Sequence, residues 1–339
     1  MDWGLGHITR TIPIIELLIE RGHEVITCGN KVSEKIYSSE FTNISHVNID
    51  GYEPYYSSSK NQGWAMLKQL PKFFKIIKKE RKIAFEITKK HEIDIIISDN
   101  RFGLRSNLTK NIFITHQIQI IAPKIIQPLI RAINKRLINN FDFCWIPDTN
   151  KEKSLAGNLS NYNTKKTLRI GILSRFKKET NQNKSYKYQF LGIISGPEPQ
   201  RSLIEAKLIG EFKDCHMKCA IINGKINHKK EKIKNIDFYS HLNTLNFYEL
   251  IESTKTIICR SGYSSIMDLS ILQKEVIFIP TPGQTEQEYL AKYHKKISNL
   301  EYYNQDEFEL KKNKSPIGKI KKAFPNKILL EKAFKKIDI

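Results

Sequence analysis

Short apolar runs alternate with longer segments of helical periodicity along almost the whole chain. Residues 93–98 (IDIIIS) contain four isoleucines, as is typical of a strand that is covered on both faces of a parallel sheet. Residues 255–259 have the same apolar character, whereas residues 65–90 place large apolar side chains on one helical face and lysines on the other. Because strand and helix alternate in both halves, we predict an α/β protein with two doubly wound domains that face one another.

The predicted domain boundary lies after residue 174. Two polar segments, residues 151–166 and 177–187, flank a short predicted strand there, and 339 residues are enough for two domains of ordinary size. We therefore expect an N-terminal domain at 1–174 and a C-terminal domain at 175–339. The first domain shows no strand before its first predicted helix at residues 11–20, which favours a natural start upstream of Met1.

The net charge of +21 is the most unusual feature of the composition, with 56 basic residues against 35 acidic ones. Such a charge would attract phosphates, anionic lipids or nucleic acid. An abundance of Lys, Ile and Asn is also typical of AT-rich coding sequences, which raise the charge without any partner. No nucleic-acid recognition motif accompanies the charge, so we expect no nucleic-acid partner.

The sequence favours a cytoplasmic protein. No apolar run approaches the roughly 18 residues of a membrane-spanning helix. The first residues lack the layout of a secretory signal. The five cysteines are scattered and odd in number, as expected in a reducing compartment.

The strongest local signal is the predicted strand–turn–helix at residues 259–265 (CRSGYSS). Free N–H groups at the start of the helix, with the hydroxyls of Ser264 and Ser265, would suit a diphosphate. Asp268 follows on the same helix, where a carboxylate could bind ribose hydroxyls. The alternative is an ordinary turn capped by serine, with Asp268 a favourable partner of the helix dipole.

Two further turns carry candidate ligands. Residues 280–288 (PTPGQTEQE) hold four amide or carboxylate side chains that suit sugar hydroxyls, although a helix capped by Thr285 is the alternative. Near the N-terminus, Gly4 and Gly6 would let the backbone approach a ligand closely. The adjacent His7 is a candidate general base, and a purely structural histidine is its alternative.

The three motifs, in this order, resemble those of GT-B glycosyltransferases and in particular glycosyltransferase family 28, which includes the N-acetylglucosaminyltransferases of peptidoglycan lipid intermediates. The resemblance covers most of the chain and is most specific between residues 237 and 295. There CRSGYSSIMD matches the family's strand–turn–helix and TPGQTEQEYL its later donor loop, while GLGH resembles its acceptor-side turn. The resemblance implies two Rossmann-like domains across a cleft, with a UDP-sugar donor on the second.

The resemblance also implies roles for single residues. Asp268 stands where the family has a glutamate that grips the ribose, and is one methylene shorter. Gln287 and Glu288 stand where two glutamines contact the sugar, and an ionised Glu288 can only accept hydrogen bonds, which leaves N-acetylglucosamine or a related hexose open. His241 and Leu242 match the position that reads the uracil edge. The implied donor residues are Gly196, His241, Leu242, Arg260, Ser261, Gly262, Tyr263, Ser264, Ser265, Asp268, Gln284, Gln287 and Glu288, and those of the acceptor-side loop are Gly4 and Gly6.

The implied chemistry is an inverting, metal-independent transfer to an acceptor hydroxyl. The sequence has no Asp-x-Asp triplet and no His/Cys cluster, so we expect neither metal nor cofactor beyond the UDP-sugar co-substrate. His7 would be the base, paired with Asp99, and Asp2 and His116 are weaker candidates. Arg260 is a candidate for neutralising the leaving diphosphate, and Gly196 resembles a second phosphate-facing glycine.

The acceptor is less defined. The basic amphipathic segments at 65–90 and 125–136 would suit an anionic membrane, hence a lipid-linked acceptor and a peripheral position at the inner face of the membrane. Two core-packed helices with solvated lysines are the alternative. Two other functions also remain open: a GT-B-fold sugar-nucleotide epimerase and a non-catalytic protein that binds a nucleotide sugar.

Overall fold

The computed structural model describes residues 5–49, 70–180, 185–224, 232–310 and 317–338. The chain divides into two compact units, of which unit 1 comprises residues 55–173 and 324–339 and unit 2 comprises residues 2–54 and 174–323. The change at residue 173 is one residue from the predicted boundary. The units nevertheless differ from the predicted bounds, because residues 2–54 group with unit 2 and residues 324–339 with unit 1. The assignment of residues 1–174 as an acceptor-side domain stays a prediction.

Helices and strands alternate through the described residues, as the apolar pattern predicts. The helices are α1 Leu5–Glu20, α2 Lys31–Glu40, α3 Leu70–His91, α4 Gln127–Ile138, α5 Gln200–Lys213, α6 Thr244–Glu252, α7 Tyr263–Leu272, α8 Thr285–Ser298 and α9 Lys327–Lys335. The strands are β1 Ile26–Gly29, β2 Ser45–Asn48, β3 Ile95–Asp99, β4 Lys110–Ile114, β5 Phe143–Ile146, β6 Thr167–Arg169, β7 Tyr188–Ile193, β8 Cys219–Ile222, β9 Lys232–Ile233, β10 Ile236–Tyr239, β11 Thr254–Cys259, β12 Glu275–Phe278 and β13 Glu301–Tyr302. None of these helices combines the length and the apolar character needed to cross a bilayer.

Unit 1 is built on a parallel sheet with the strand order β3-β4-β5-β6. Its central strands β4 and β5 are buried except for their first residues, and Phe113 and Trp145 are fully buried, as is typical of a parallel sheet. The C-terminal helix α9 packs here, with the ring of Phe334 centred 5.3 Å from that of Trp145. This packing explains why the end of the chain belongs to unit 1.

Unit 2 is built on a sheet with the order β13-β12-β11-β7-β8-β10-β9 among the described residues. All its neighbouring strands are parallel except β9 and β10. Cys259 at the end of β11 is in register with Ile193 of β7 and Phe278 of β12. The turns that follow these three strands therefore leave the same edge of the sheet, which is where open α/β sheets bind ligands. The parallel sheets confirm the predicted α/β fold class.

The first elements of the chain, α1 to β2, also belong to unit 2. Helix α1 begins at Leu5, so Gly6 and His7 lie on its first turn, and their predicted place in a turn before the helix is wrong. The physical reason is Ile8, which is only 9% exposed and packs with Ile15 and Ile36. Extending the helix back past residue 11 buries this side chain.

Candidate active site

The turn between β11 and α7 leaves the start of the helix open. Gly262 is the N-cap residue with an extended backbone, and no side chain caps the helix, so the serine-capped alternative is not observed. A Cβ atom at Gly262 would meet no atom within 4 Å. Open space therefore adjoins the N-cap residue of α7, at the end of the helix where the first N–H groups have no acceptor within the helix. Tyr263 is 2% exposed, whereas Ser264 and Ser265 are half-buried.

A hydrogen bond joins this turn to the next one. The buried hydroxyl of Ser261 donates to the backbone carbonyl of Gln287 over 2.7 Å. The Oε1 atom of Gln287 accepts from the Thr281 N–H, and that of Glu288 accepts from the Gly283 N–H, each over 2.8 Å. The two side chains that the sequence assigns to the sugar therefore also shape the backbone of their own turn.

The start of α8 is not capped by Thr285, the alternative to a sugar site at this turn. Gln284, and not Thr285, is the N-cap residue, and its side chain makes no capping hydrogen bond. Glu286 and Glu288 place negative charge in the first turn, where the helix dipole stabilises it. The start of α8 is thus acidic, whereas the first turn of α7 has no acidic residue.

Arg260 points into the protein, behind the turn. It is 2% exposed, and its guanidinium donates to the carbonyls of Ile279, Pro280 and Gln200 and to the Oε1 atom of Gln305. Burial lowers the pKa of Arg260 to about 10, so the side chain is still protonated at neutral pH. Both Nη atoms therefore face protein oxygen atoms, whereas the Nε atom is buried and has no hydrogen-bond partner among the described residues.

Asp268, the predicted ribose ligand, lies on α7 and interacts with Ser174 and Arg175 in one cluster. Its Oδ1 atom accepts a hydrogen bond of 2.5 Å from the Ser174 hydroxyl. Burial raises the pKa of Asp268 to about 6, against the opposing effects of Arg175 and of the Ser174 hydrogen bond. The Arg175 guanidinium lies over the rings of Phe176 and Phe247, at 5.2 and 4.8 Å from their centroids.

The residues after β10 approach the same cluster. Burial and the charge of Arg175 lower the pKa of His241, opposed by Glu40. The Nε2 atom of His241 is buried and has no hydrogen-bond partner among the described residues. Glu40 accepts from the N–H and the hydroxyl of Thr244, which ties α2 to the start of α6.

Sequence reasoning missed Ser174, Arg175 and Glu40. Ser174 and Asp268 are 94 positions apart in the chain, so no local pattern connects them. The one local signal for this cluster is Arg175, a basic residue that comes shortly after the short predicted strand at the domain boundary. Leu242 is half-buried, and Gly196 has φ +104 with open space at its Cβ position.

The first turn of α1 packs against the first turn of α7. A Cβ atom at Gly6 would lie 2.8 Å from the Cβ atom of Ser264, so only glycine fits without a shift. This contact brings the start of α1, and with it the backbone of His7, next to the turn at residues 260–265. Gly4 and Asp2 lie outside the described residues.

The predicted partner of His7 belongs to the other unit. Asp99 is the last residue of β3 in unit 1, whereas His7 belongs to unit 2, so their pairing stays a prediction. His116, the weaker candidate, is 4% exposed in unit 1. Among the described residues, no group of three or more His, Cys, Asp and Glu side chains is placed to hold a metal ion.

Comparison with known proteins finds a family model that matches the part of the chain that contains this site. Residues 193–332 match the model of the glycosyltransferase family 28 C-terminal domain. A curated relative from Sulfurihydrogenibium sp. (strain YO3AOP1) is 29% identical over 150 residues, which are 42% of this chain and 38% of the relative. That relative is a UDP-N-acetylglucosamine–N-acetylmuramyl-(pentapeptide) pyrophosphoryl-undecaprenol N-acetylglucosamine transferase, and this chain therefore matches less than half of its length.

Solved structures share the fold over nearly the whole chain. The glycosyltransferase SnogD from Streptomyces nogalater has a TM-score of 0.60 at 11% identity, covering 98% of this chain and 91% of its own. The glycotransferase of kitacinnamycin has a TM-score of 0.56 at 13% identity, covering 89% and 84%. Such low identities support the fold alone. Residues 193–332 thus match the glycosyltransferase family 28 C-terminal domain, within a chain that has the GT-B fold of glycosyltransferases.

Proposed function

We propose that this protein is a glycosyltransferase that moves a hexosyl group, N-acetylglucosamine or a related sugar, from a UDP-sugar to an acceptor hydroxyl. The observation that carries the proposal is the junction of two turns at the carboxyl edge of the unit 2 sheet, linked by the Ser261–Gln287 hydrogen bond. One turn opens the N-terminus of α7, and the other presents amide and carboxylate groups. The match to family 28 supports the same assignment.

The start of α7 would hold the diphosphate. The N–H groups of its first turn, which have no acceptor within the helix, and the positive end of the helix dipole attract an anion, and the first turn has no acidic side chain to repel it. The space beside Gly262 leaves room for phosphate oxygens close to the backbone. These groups stabilise the charge of the departing UDP, so the transfer needs neither metal nor cofactor.

The neighbouring side chains would bind the rest of the donor. Asp268 would accept from the ribose hydroxyls, and the segment at His241 and Leu242 would contact the base. Gln287 and Glu288 would meet the sugar, since the bonds that shape their turn use the single Oε1 atom of Gln287 and one carboxylate oxygen of Glu288, and involve neither the Gln287 amide nitrogen nor the second Glu288 oxygen. The Gln287 amide nitrogen can donate, whereas ionised Glu288 can only accept.

His7 would be the general base. The contact between Gly6 and Ser264 places the first turn of α1 beside the diphosphate turn within unit 2. His7 would take the proton of the acceptor hydroxyl as its oxygen bonds to the anomeric carbon. The bond from that carbon to the diphosphate breaks in the same step, and UDP leaves with inversion of configuration.

We further propose that the acceptor is lipid-linked and that unit 1 touches an anionic membrane surface. In unit 1, Ile125 is 87% exposed and Leu129 is 54% exposed, and α4 carries Lys135 and Arg136 in its last turn. Exposed apolar side chains beside basic ones suit a membrane interface. The substitution Ile125→Asp should weaken pelleting with anionic vesicles, whereas Leu245→Asp, at a 75% exposed position in unit 2, should not. Pelleting that is independent of anionic lipid would contradict this part.

The experiment for the main proposal has two stages. A thermal-shift panel of UDP-, GDP- and dTDP-sugars identifies the donor, because a ligand that binds only the folded protein stabilises it. Release of UDP is then measured with and without a lipid-linked muramyl-pentapeptide acceptor, the substrate class in the name of the curated relative. Stabilisation by UDP-sugars and acceptor-dependent UDP release support the proposal. Binding without release indicates a non-catalytic binding protein, epimerised donor indicates an epimerase, and no stabilisation by any donor overturns the proposal.

A further inference from the structure

We propose that Arg260 and Gln305 together position the donor-binding turns from behind, and that Arg260 does not itself touch the diphosphate. The inference rests on the proposed function, because it concerns the same donor site. It assigns a role to Gln305, which lies outside every motif of the sequence, and replaces the expected role of Arg260 as a direct phosphate ligand.

The hydrogen bonds of Arg260 connect several segments that follow strands of the unit 2 sheet. Its Nη1 atom donates to Ile279 and Pro280 at the end of β12, over 3.0 and 3.2 Å. Its Nη2 atom donates to the Gln200 carbonyl at the start of α5, over 3.0 Å, and to Gln305 after β13, over 2.7 Å. Arg260 itself follows β11, so one guanidinium fixes four neighbouring segments of one sheet edge. A planar group with a fixed fork of donors is suited to this task.

The direction of the side chain argues against direct contact with a ligand. Arg260 is 2% exposed, and both of its Nη atoms already donate to protein oxygens. The remaining donor, the Nε atom, has no hydrogen-bond partner among the described residues, but it is buried, so a phosphate could reach it only if the surrounding segments moved. The open space of the turn lies instead beside Gly262, two residues further along the chain.

The charge of Arg260 is not neutralised by these partners. All its acceptors are carbonyl or amide oxygens, and the adjacent Cys259 thiol stays protonated because burial raises its pKa to about 12. A buried cation without an anionic partner is costly, and its field reaches the surrounding turns with little screening. Arg260 therefore adds positive potential beneath the diphosphate turn while it holds that turn in place.

Substitutions at Gln305 can separate the positioning of the turns from the positive potential of Arg260. It is the only side chain among the acceptors of Arg260 in the described part of the chain, and it is 8% exposed. Gln305→Leu removes the acceptor but keeps the charge of Arg260. Gln305→Glu keeps an acceptor but cancels that charge through an ion pair.

The test compares UDP with uridine, which lacks the diphosphate, as probes of these variants. We expect Gln305→Leu to weaken both ligands because the turns lose their fixed position. Gln305→Glu should weaken UDP by about tenfold and leave uridine within about twofold of the wild-type protein. Asn235→Ala is the matched control, since its amide donates to three backbone carbonyls at the opposite edge of the same sheet, and it should leave both affinities unchanged.

Two results would overturn the inference. One is unchanged UDP affinity in Gln305→Leu and Gln305→Glu with loss of UDP binding in Arg260→Met, which would make Arg260 a direct ligand. The other comes from urea unfolding of Arg260→Met, Gln305→Leu and the double variant, a cycle that needs no ligand. Additive effects would show that the two residues are not coupled. If the wild-type protein binds no UDP, the proposed function fails, and the unfolding cycle still decides whether the pair holds the turns.

Discussion

The hydroxyl of Ser261 lies 2.7 Å from the carbonyl oxygen of Gln287 and donates a hydrogen bond to it. Ser261 precedes α7 and Gln287 lies in the first turn of α8, so this bond fixes the distance between two helix starts. In the proposed function, the first helix start binds the diphosphate and the second binds the sugar. The bond between them would then set the position of the sugar relative to its leaving group.

Ser261→Ala should therefore weaken UDP-sugar binding as well as lower the free energy of unfolding by about 1 kcal/mol. Ser270→Ala is a matched control. Ser270 lies in α7 and is fully buried, like Ser261. Its hydroxyl donates to the backbone carbonyl of Met267 over 2.7 Å, the same distance as in the Ser261–Gln287 bond. Calorimetry and urea unfolding should show similar destabilisation for both variants but weaker donor binding only for Ser261→Ala. Equal donor affinities would contradict the role of the Ser261–Gln287 bond.

Gly262→Ala should separate ligand contact from stability at the start of α7. The added Cβ meets no protein atom within 4 Å, and the φ of −71° is accessible to alanine, so the fold should tolerate the change. If phosphate oxygens occupy this space, the methyl group will hinder them, and we expect UDP affinity to fall by at least about tenfold. Thermal unfolding without ligand provides the control. Unchanged affinity in a stable variant would remove the diphosphate from this position.

The ionisation of Asp268 should make stability depend on pH in a defined direction. Its pKa in the folded protein is about 6, raised from 3.8, so the folded state binds this proton more tightly than the unfolded state. Its contribution to stability is fully present below about pH 4 and is lost as the pH rises through about 6. The difference in unfolding free energy between the wild-type protein and Asp268→Asn should fall over that interval. A difference that stays constant between about pH 4 and 7 would contradict the raised pKa.

The affinity for the donor should also depend on the ionisation of Asp268, but it should rise with pH where the stability contribution falls. Ionised Asp268 is the better acceptor for ribose hydroxyls, so affinity for a UDP-sugar should increase from about pH 5 to 7. A UDP-sugar is the right probe because it has no ionisable group of its own in that interval. Asp268→Asn should bind more weakly at pH 7 and lose this dependence.

His7→Ala should lower the rate of transfer by about 10² to 10⁴ with little change in the KM for the donor, as expected for a lost general base. His23→Ala is the control, because His23 is an exposed histidine in the turn after α1. Steady-state UDP release at saturating donor gives both constants. Normal turnover in a folded His7→Ala variant would remove this residue from the mechanism.

The sequence predicted the bounds of β11 and α7 well because their signals are local. The apolar run before Cys259, the small residues at 261–262 and the helical pattern after them place β11 and α7 within one or two residues of their observed bounds. The start of α1 was misplaced because it depends on Ile8 packing against Ile36 of another helix. The contacts of Asp268 with Ser174, and of Arg260 with Gln305, depend on tertiary structure and leave no local pattern.

Calorimetric titration of the wild-type protein and Gly262→Ala with UDP tests the central claim most directly, because it needs no acceptor. The account predicts that one UDP binds to each wild-type chain and that the variant, equally stable, binds at least about tenfold more weakly. No UDP binding by the folded wild-type protein, or equal binding by both proteins, would contradict it.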